Sequence, residues 1–258
     1  LGTYCIIEFT GVYLGFQDQV FHSEYVPSTL VFCHSFRIGN TFRKNGYLLN
    51  ANKQVEFVCK ELLSMPEMED GYNAIGFSQG SQFFCCPRCP KPAMRSLITL
   101  GGQHQGVYGI PHCPDGDKYC NYIRRLLNFG AYWDWMQEDF VQAEYWHDPL
   151  DEDTYRKKSI FLADINNALT INELFNNDTM VNPVESEWFG FYTPGQATEI
   201  TPLIKSSLFD KNLDPLGLRW LSDNGRLKFL EVDGNHLQFT KKWFLANILK
   251  PFIYTDSD

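Results

Sequence analysis

The chain has 258 residues, with 31 acidic side chains against 22 Lys and Arg, a net charge of −9 and a sequence pI near 5.2. Hydrophobic residues make up 44% and charged residues 21%, which excludes a disordered or collagen-like chain. The acidic balance, with no Lys/Arg cluster to override it, excludes an extended nucleic-acid surface, and no apolar run reaches the length of a transmembrane helix.

In chain order, the first stretch, LGTYCIIEFTGVYLGF, lacks a basic leader and carries Glu8, so it does not read as a signal peptide. Ala51 to Met65 places Val55, Val58, Cys59, Leu62 and Leu63 at helical spacing, which predicts an amphipathic helix stopped by Pro66. GYNAIGF then reads as a short buried strand, and SQGSQFF as the start of a helix. Arg95 to Leu100 is a second strand, ended by Gly101 and Gly102. Helix, strand, helix and strand in this order predict a parallel sheet of α/β type. Residues 103–176 are aromatic, acidic and largely helical in pattern, broken at His147-Asp148-Pro149, and are expected to be a helical insertion on a single 1–258 domain. Near the C-terminus RLKFLEV is a strand, Asp233 to His236 a turn, and Phe239, Trp243 and Ala246 share one face of a last helix.

The cysteines are Cys5, Cys33, Cys59, Cys85, Cys86, Cys89, Cys113 and Cys120. Cys86 and Cys89 form a CxxC, but the second pair, Cys113 and Cys120, is spaced too widely for a zinc ribbon. Prolines around the CxxC argue against a redox motif opening a helix. Structural disulfides or free thiols are the better reading, with the short loop between Cys113 and Cys120 the most favourable bridge. Together with the Asn177-Asp178-Thr179 sequon, the cysteines point to a secretory or lysosomal lumen.

The chemistry concentrates at Gly76-Phe77-Ser78-Gln79-Gly80, which matches G-x-S-x-G. A serine on a tight strand-to-helix turn projects its Oγ off the sheet, and the glycines permit the turn. The following helix directs N–H groups, Gln79 first, at an oxyanion formed nearby. An α/β-hydrolase orders its triad Ser, acid, His. Of His104, His112, His147 and His236, only His236 lies between the last strand and the last helix. For the acid, Asp148, Asp164, Asp178, Asp214 and Asp223 fall in the right interval, and Asp164 and Asp178 stand about level.

Longer strings carry a resemblance. GYNAIGFSQGSQF, LITLGGQHQGVYGIPHCP, VQAEYWHDPLDEDTYRKKSIFLADIN, NPVESEWFGFYTPGQA and DGNHLQFTKKWF closely resemble the palmitoyl-protein thioesterases, the lysosomal type-1 branch, almost continuously from Gly71 to Phe252. The resemblance implies an α/β-hydrolase that removes long-chain fatty acyl groups from cysteine thioesters in the lysosome. It implies Ser78 as nucleophile, Asp178 as acid in preference to Asp164, His236 as base, and the Gln79 N–H as oxyanion donor. It further implies disulfides Cys59–Cys89 and Cys113–Cys120, a glycan on Asn177, and an acyl groove formed partly by 103–176. The partners implied are S-acylated proteins or peptides and long-chain acyl thioesters, with no nucleic acid, no stable membrane span, and no metal or cofactor.

Three departures from the family pattern are also expected to matter. No match for the family's first apolar strand and its oxyanion loop is found in residues 1–40. Pro87, in FFCCPRCP, should shorten the helix after Ser78. INELF runs almost directly into NNDT, so the strand before Asp178 is expected to be missing. An incomplete sheet would expose strand edges, and it opens a second reading: an impaired or inactive member that keeps the triad residues and only binds lipid or protein. A third is a disulfide-rich extracellular binding module without catalysis.

Overall fold

The computed structural model describes residues 3–9, 33–36, 50–84, 91–108, 127, 129–139, 141–162 and 170–253. Its centre is a sheet of six parallel strands: β1 (Thr3–Phe9), β2 (Cys33–Phe36), β3 (Tyr72–Ser78), β4 (Met94–Leu100), β5 (Thr170–Phe175) and, after a small β6 (Phe191–Tyr192) and β7 (Ile200–Thr201) pair, β8 (Lys228–Val232). The order across the sheet is β2-β1-β3-β4-β5-β8, with every neighbouring pair parallel. This is the α/β architecture that the alternation of elements predicts.

Two of the expected departures are corrected here. The N-terminal strand exists: β1 lies between β2 and β3 in parallel register, with Phe9 opposite Ser78. The loop that follows it, and with it any second oxyanion donor, lies outside the described residues. The strand before the acid exists as well, because INELF is itself β5, paired with β4 on one side and β8 on the other. The polar letters Asn172 and Glu173 interrupt its apolar pattern, and only the two flanking strands reveal it. The premise of the inactive reading therefore fails. Thr170–Phe175, counted at the end of the predicted 103–176 insertion, belongs to the main sheet.

The strongest helical pattern forms α1, Ala51–Leu63. Asn50 caps it, its side chain accepting the Asn52 N–H at 3.0 Å and the Lys53 N–H at 3.4 Å, which satisfies donors a helix start leaves open. Ala51, Val55, Val58 and Leu62 bury one face against Ala74 of β3 and Leu97 of β4. The alternate residues Ile75, Phe77, Ile98 and Leu100 point to the opposite face. There they meet Phe244, Ile248, Leu249 and Ile253, from α7 (Lys241–Phe244) and the π-helical segment Leu245–Ile253 that continues it. β3 and β4 are thus covered on both sides, as parallel strands require. Each fully buried side chain of this size contributes roughly 1.5–3 kcal/mol. The predicted final helix starts two residues late: Phe239 stays in the preceding loop, and Thr240 caps Trp243 N–H at 3.1 Å.

After Ser78 the helix α2, Gln79–Phe84, is short, in keeping with Pro87 a few residues on. The insertion contributes α3 (Asp134–Asp139), α4 (Val141–Glu144) and α5 (Glu152–Lys158) among the described residues. It is tied to the start of α1 by Glu144, whose carboxyl oxygens accept the Ala51 N–H at 3.1 and 3.0 Å. α6, Leu218–Asp223, precedes β8. Among the described residues, no helix is long and apolar enough to cross a membrane.

Candidate active site

The strand order reverses between β1 and β3: from β1 the chain moves outward to β2, then returns to β3 and proceeds the other way. Open α/β sheets form their site at the carboxyl ends of strands at such a switch point, and Ser78 stands there, at the end of β3. Its φ of 50° lies in the left-handed region, a strained conformation for a non-glycine residue. Gly76 makes the sharp turn feasible, since a Cβ there would sit 2.5 Å from the Ser81 Cα and 2.7 Å from its N. Helix and strand therefore approach more closely than any side chain would allow.

Asp178 arrives from the turn after β5 and His236 from the loop after β8, and the two turns are stitched together. Asn176 N–H donates to Val232 O at 3.0 Å and Asn177 N–H to Gly234 O at 3.1 Å. Asn235 Oδ1 accepts the Thr179 N–H and Oγ1–H, each at 3.0 Å, and the His236 N–H at 2.7 Å. This shared acceptor fixes the spacing between acid and imidazole.

The result is a continuous hydrogen-bonded line. His236 Nε2 is 2.9 Å from Ser78 Oγ, and His236 Nδ1 pairs with Asp178 Oδ2. The other carboxylate oxygen, Oδ1, accepts the Met180 N–H at 2.6 Å and the Val181 N–H at 2.9 Å. The Asp178 side chain is fully buried and that of His236 is 11% exposed. Burial pushes the Asp178 carboxyl upward, but hydrogen bonding and charge from His236, a hydrogen bond from Glu187 and the Val181 N–H together hold it below the ordinary carboxylate range. Ionised Asp178 thus keeps the imidazole with its proton on Nδ1 and its Nε2 lone pair toward the serine.

The chain belongs to the palmitoyl protein thioesterase family. The family model of that description matches residues 15–236, a span that contains Ser78, Asp178 and His236. The palmitoyl-protein thioesterase 1 of Caenorhabditis elegans is 41% identical over 249 residues, covering 89% of this chain and 82% of that protein. Palmitoyl-protein thioesterase 3 of Dictyostelium discoideum is 31% identical over 226 residues, or 78% and 75% of the two chains. A lysosomal thioesterase PPT2 homolog of Drosophila melanogaster is 26% identical over 259 residues, or 89% and 83%. As in the rest of the family, the chain folds as an α/β-hydrolase.

The other candidates lie elsewhere. His104 is buried, 3.0 Å from Thr99 Oγ1 through Nε2 and stacked on Phe189 with centroids 4.5 Å apart. His147 is held by Gln105 O and Glu152, each at 2.7 Å, between the rings of Tyr155 and Phe191. Asp148 binds the Leu150 N–H, Asp214 caps Arg219 and Trp220 at the start of α6, and Asp223 pairs with Arg219. Asp164 and His112 lie outside the described residues. Cys59 is disulfide-bonded; Cys89, Cys113 and Cys120 lie outside the described residues. Asn177 is exposed, with Nδ2 3.2 Å from Asp233 Oδ1.

Two residues near the site escape the sequence reading. Gly101, at the end of β4, has φ +62°, and a Cβ on it would lie 2.9 Å from His236 Cε1, so the missing side chain makes room for the imidazole. The only sequence signal is a Gly pair after a strand. Glu187 is completely buried and, with Asp178 and His236, presents ligand-type atoms all within 4.8 Å of one another. Such a trio has the donor types to hold a cation, but His236 already spends Nδ1 on Asp178 and Nε2 on Ser78. An acidic residue directly before the aromatic WFGFY run is the signal that marks Glu187.

Proposed function

We propose that this chain is a serine hydrolase that cleaves long-chain fatty acyl thioesters of protein cysteines. Ser78 is the nucleophile, His236 the general base and acid, and Asp178 the residue that orients His236. The observation that carries the reading is the line from Ser78 Oγ through His236 to buried Asp178, on a chain of this family.

In the first half-reaction His236 Nε2 takes the Ser78 proton as Oγ attacks the thioester carbonyl. The Gln79 N–H, at the start of α2, donates to the oxyanion; one such donor is worth about 10²–10³ in rate. The tetrahedral intermediate collapses with loss of the cysteine thiolate, which receives the proton held by His236. A thiol of pKa about 8.5 leaves more readily than an amine. Water then attacks the acyl-enzyme, giving its proton to His236, and the acid leaves as Ser78 regains its hydrogen. Every proton moves between Ser78, His236, water and substrate.

The aromatic insertion, including buried Tyr108, Tyr132 and Trp146, supplies one wall for the acyl chain in this proposal. The disulfides Cys59–Cys89 and Cys113–Cys120, a glycan on Asn177 and a lysosomal lumen complete it; disulfide-bonded Cys59, exposed Asn177 and Thr179 and relatives named as lysosomal thioesterases support these assignments. The test is labelling with a fluorophosphonate probe, followed by hydrolysis of long-chain against short-chain acyl thioesters. Wild type should label and prefer the long chain, and Ser78→Ala should do neither. A folded wild type that fails to label would remove the enzyme reading.

A further inference from the structure

Glu187 lies in the 3₁₀ turn Val184–Trp188, which packs beside the end of β5. It has no solvent exposure, and its Oε2 accepts the Phe175 N–H at 3.0 Å, three residues before Asp178. The turn is pinned in place by its neighbour: Ser186 Oγ donates to Gly106 O at 2.7 Å and accepts the Gln105 N–H at 3.0 Å. The carboxyl of Glu187 is thus delivered by a rigid element to the back of the acid.

Among the described residues, the titratable groups grouped with Glu187 are Asp178, from the turn after β5, and His236, from the loop after β8. Asp178 already accepts two backbone N–H groups and the imidazole, all of which favour its ionised form. Two buried carboxylates this close cannot both ionise without severe repulsion. The pair therefore shares a proton, and Asp178, held by two backbone N–H groups and the imidazole, is the member that gives it up. Glu187 then carries it: Oε2 accepts the Phe175 N–H, and a protonated carboxyl oxygen can donate to Asp178.

We infer that Glu187 is a positioning residue, a buried neutral carboxylic acid that donates a hydrogen bond to Asp178 and locks the carboxylate at the angle His236 needs. It touches neither substrate nor reacting atoms and acts through Asp178. The inference rests on the triad reading of the preceding subsection.

The test uses E187Q and E187M in the full chain, with fluorophosphonate titration to count active sites. Gln preserves both functions of a neutral acid, accepting from Phe175 and donating to Asp178, whereas Met removes both. Per active site, E187Q should stay within about twofold of wild-type kcat, and E187M should lose about tenfold in kcat with KM unchanged. The acid limb of the kcat/KM profile reports protonation of His236. It should hold its place in E187Q and move up in E187M, because an Asp178 with one donor fewer attracts the imidazolium more strongly. An ionised Glu187 would give the opposite sign: both variants would lose a negative charge beside His236, and the limb would move down by about one unit or more. That result, or wild-type kcat in E187M, would overturn the inference. If E187M does not fold, the E187Q limb alone decides, and its proton NMR signal for His236 Nδ1–H should match wild type. Failure of the wild type to label would instead overturn the triad reading.

Discussion

Replacing Gly101 by Ala should impair catalysis by crowding the imidazole, and the structure supplies the size of the effect. At φ +62° an added Cβ lies 2.9 Å from His236 Cε1, 3.2 Å from Nδ1 and 3.3 Å from Leu237 Cδ2. Ordinary contacts start at 3.4 Å, so the ring must retreat by about 0.5 Å, a shift comparable to the tolerance of a hydrogen bond. With Nε2 starting 2.9 Å from Ser78 Oγ, a retreat of that size should lower kcat/KM by about ten- to a hundredfold. Left-handed backbone also costs an alanine about 1–2 kcal/mol of stability, or about 2–8 °C in Tm for a domain of this length. Gly225→Ala separates the two effects: its φ is +66°, and nothing lies within 4 Å of its Cβ position. Both variants should melt earlier by similar amounts, while only Gly101→Ala slows fluorophosphonate labelling of Ser78 and thioester hydrolysis. Equal labelling rates in the two variants would refute the steric reasoning.

Other perturbations test the remaining contacts. Asp178→Asn should reduce kcat by about 10⁴, because it favours the wrong imidazole tautomer; a loss below tenfold in single-turnover assays would count against Asp178 as the orienting acid. Asp178 is held below its unfolded value of about 3.9, so its contribution to stability is present above that pH and fades as pH falls through the folded value. The urea midpoint of Asp178→Asn should lack that acid-side fall. Burial pushes Glu144 up to about 8, so it binds a proton on folding. Its contribution is intact below about pH 4.3 and is lost as pH rises toward 8. Glu144→Gln should therefore show a flatter urea midpoint between about pH 5 and pH 8.5 than wild type, and parallel curves would contradict this. Both ring nitrogens of His147 face acceptors at 2.7 Å, so His147→Phe keeps the aromatic stack but strands the Gln105 carbonyl and Glu152. A loss of about 1–3 kcal/mol in denaturant titration is expected, with Ser78 labelling unchanged in the folded fraction.

The sequence alone determined the elements whose signals are local. The period of Val55, Val58 and Leu62 marks α1, the apolar run before Gly76-Phe77-Ser78 marks β3 and the elbow, and chain order with turn residues points to His236. The choice of Asp178 over Asp164 came from family strings, because each aspartate follows an apolar stretch and local pattern does not separate them. Tertiary structure decided what depends on pairing at a distance. β1 and β5 are interrupted by polar letters, Glu8 in one and Asn172 and Glu173 in the other. They become strands because β3, β4 and β8 supply their hydrogen bonds. The space at Gly101 and the acid at Glu187 are likewise set by neighbours far along the chain, since a side chain's role there depends on what approaches it. A length of 258 residues that reads as short of two strands is, once folded, a sheet with both in place.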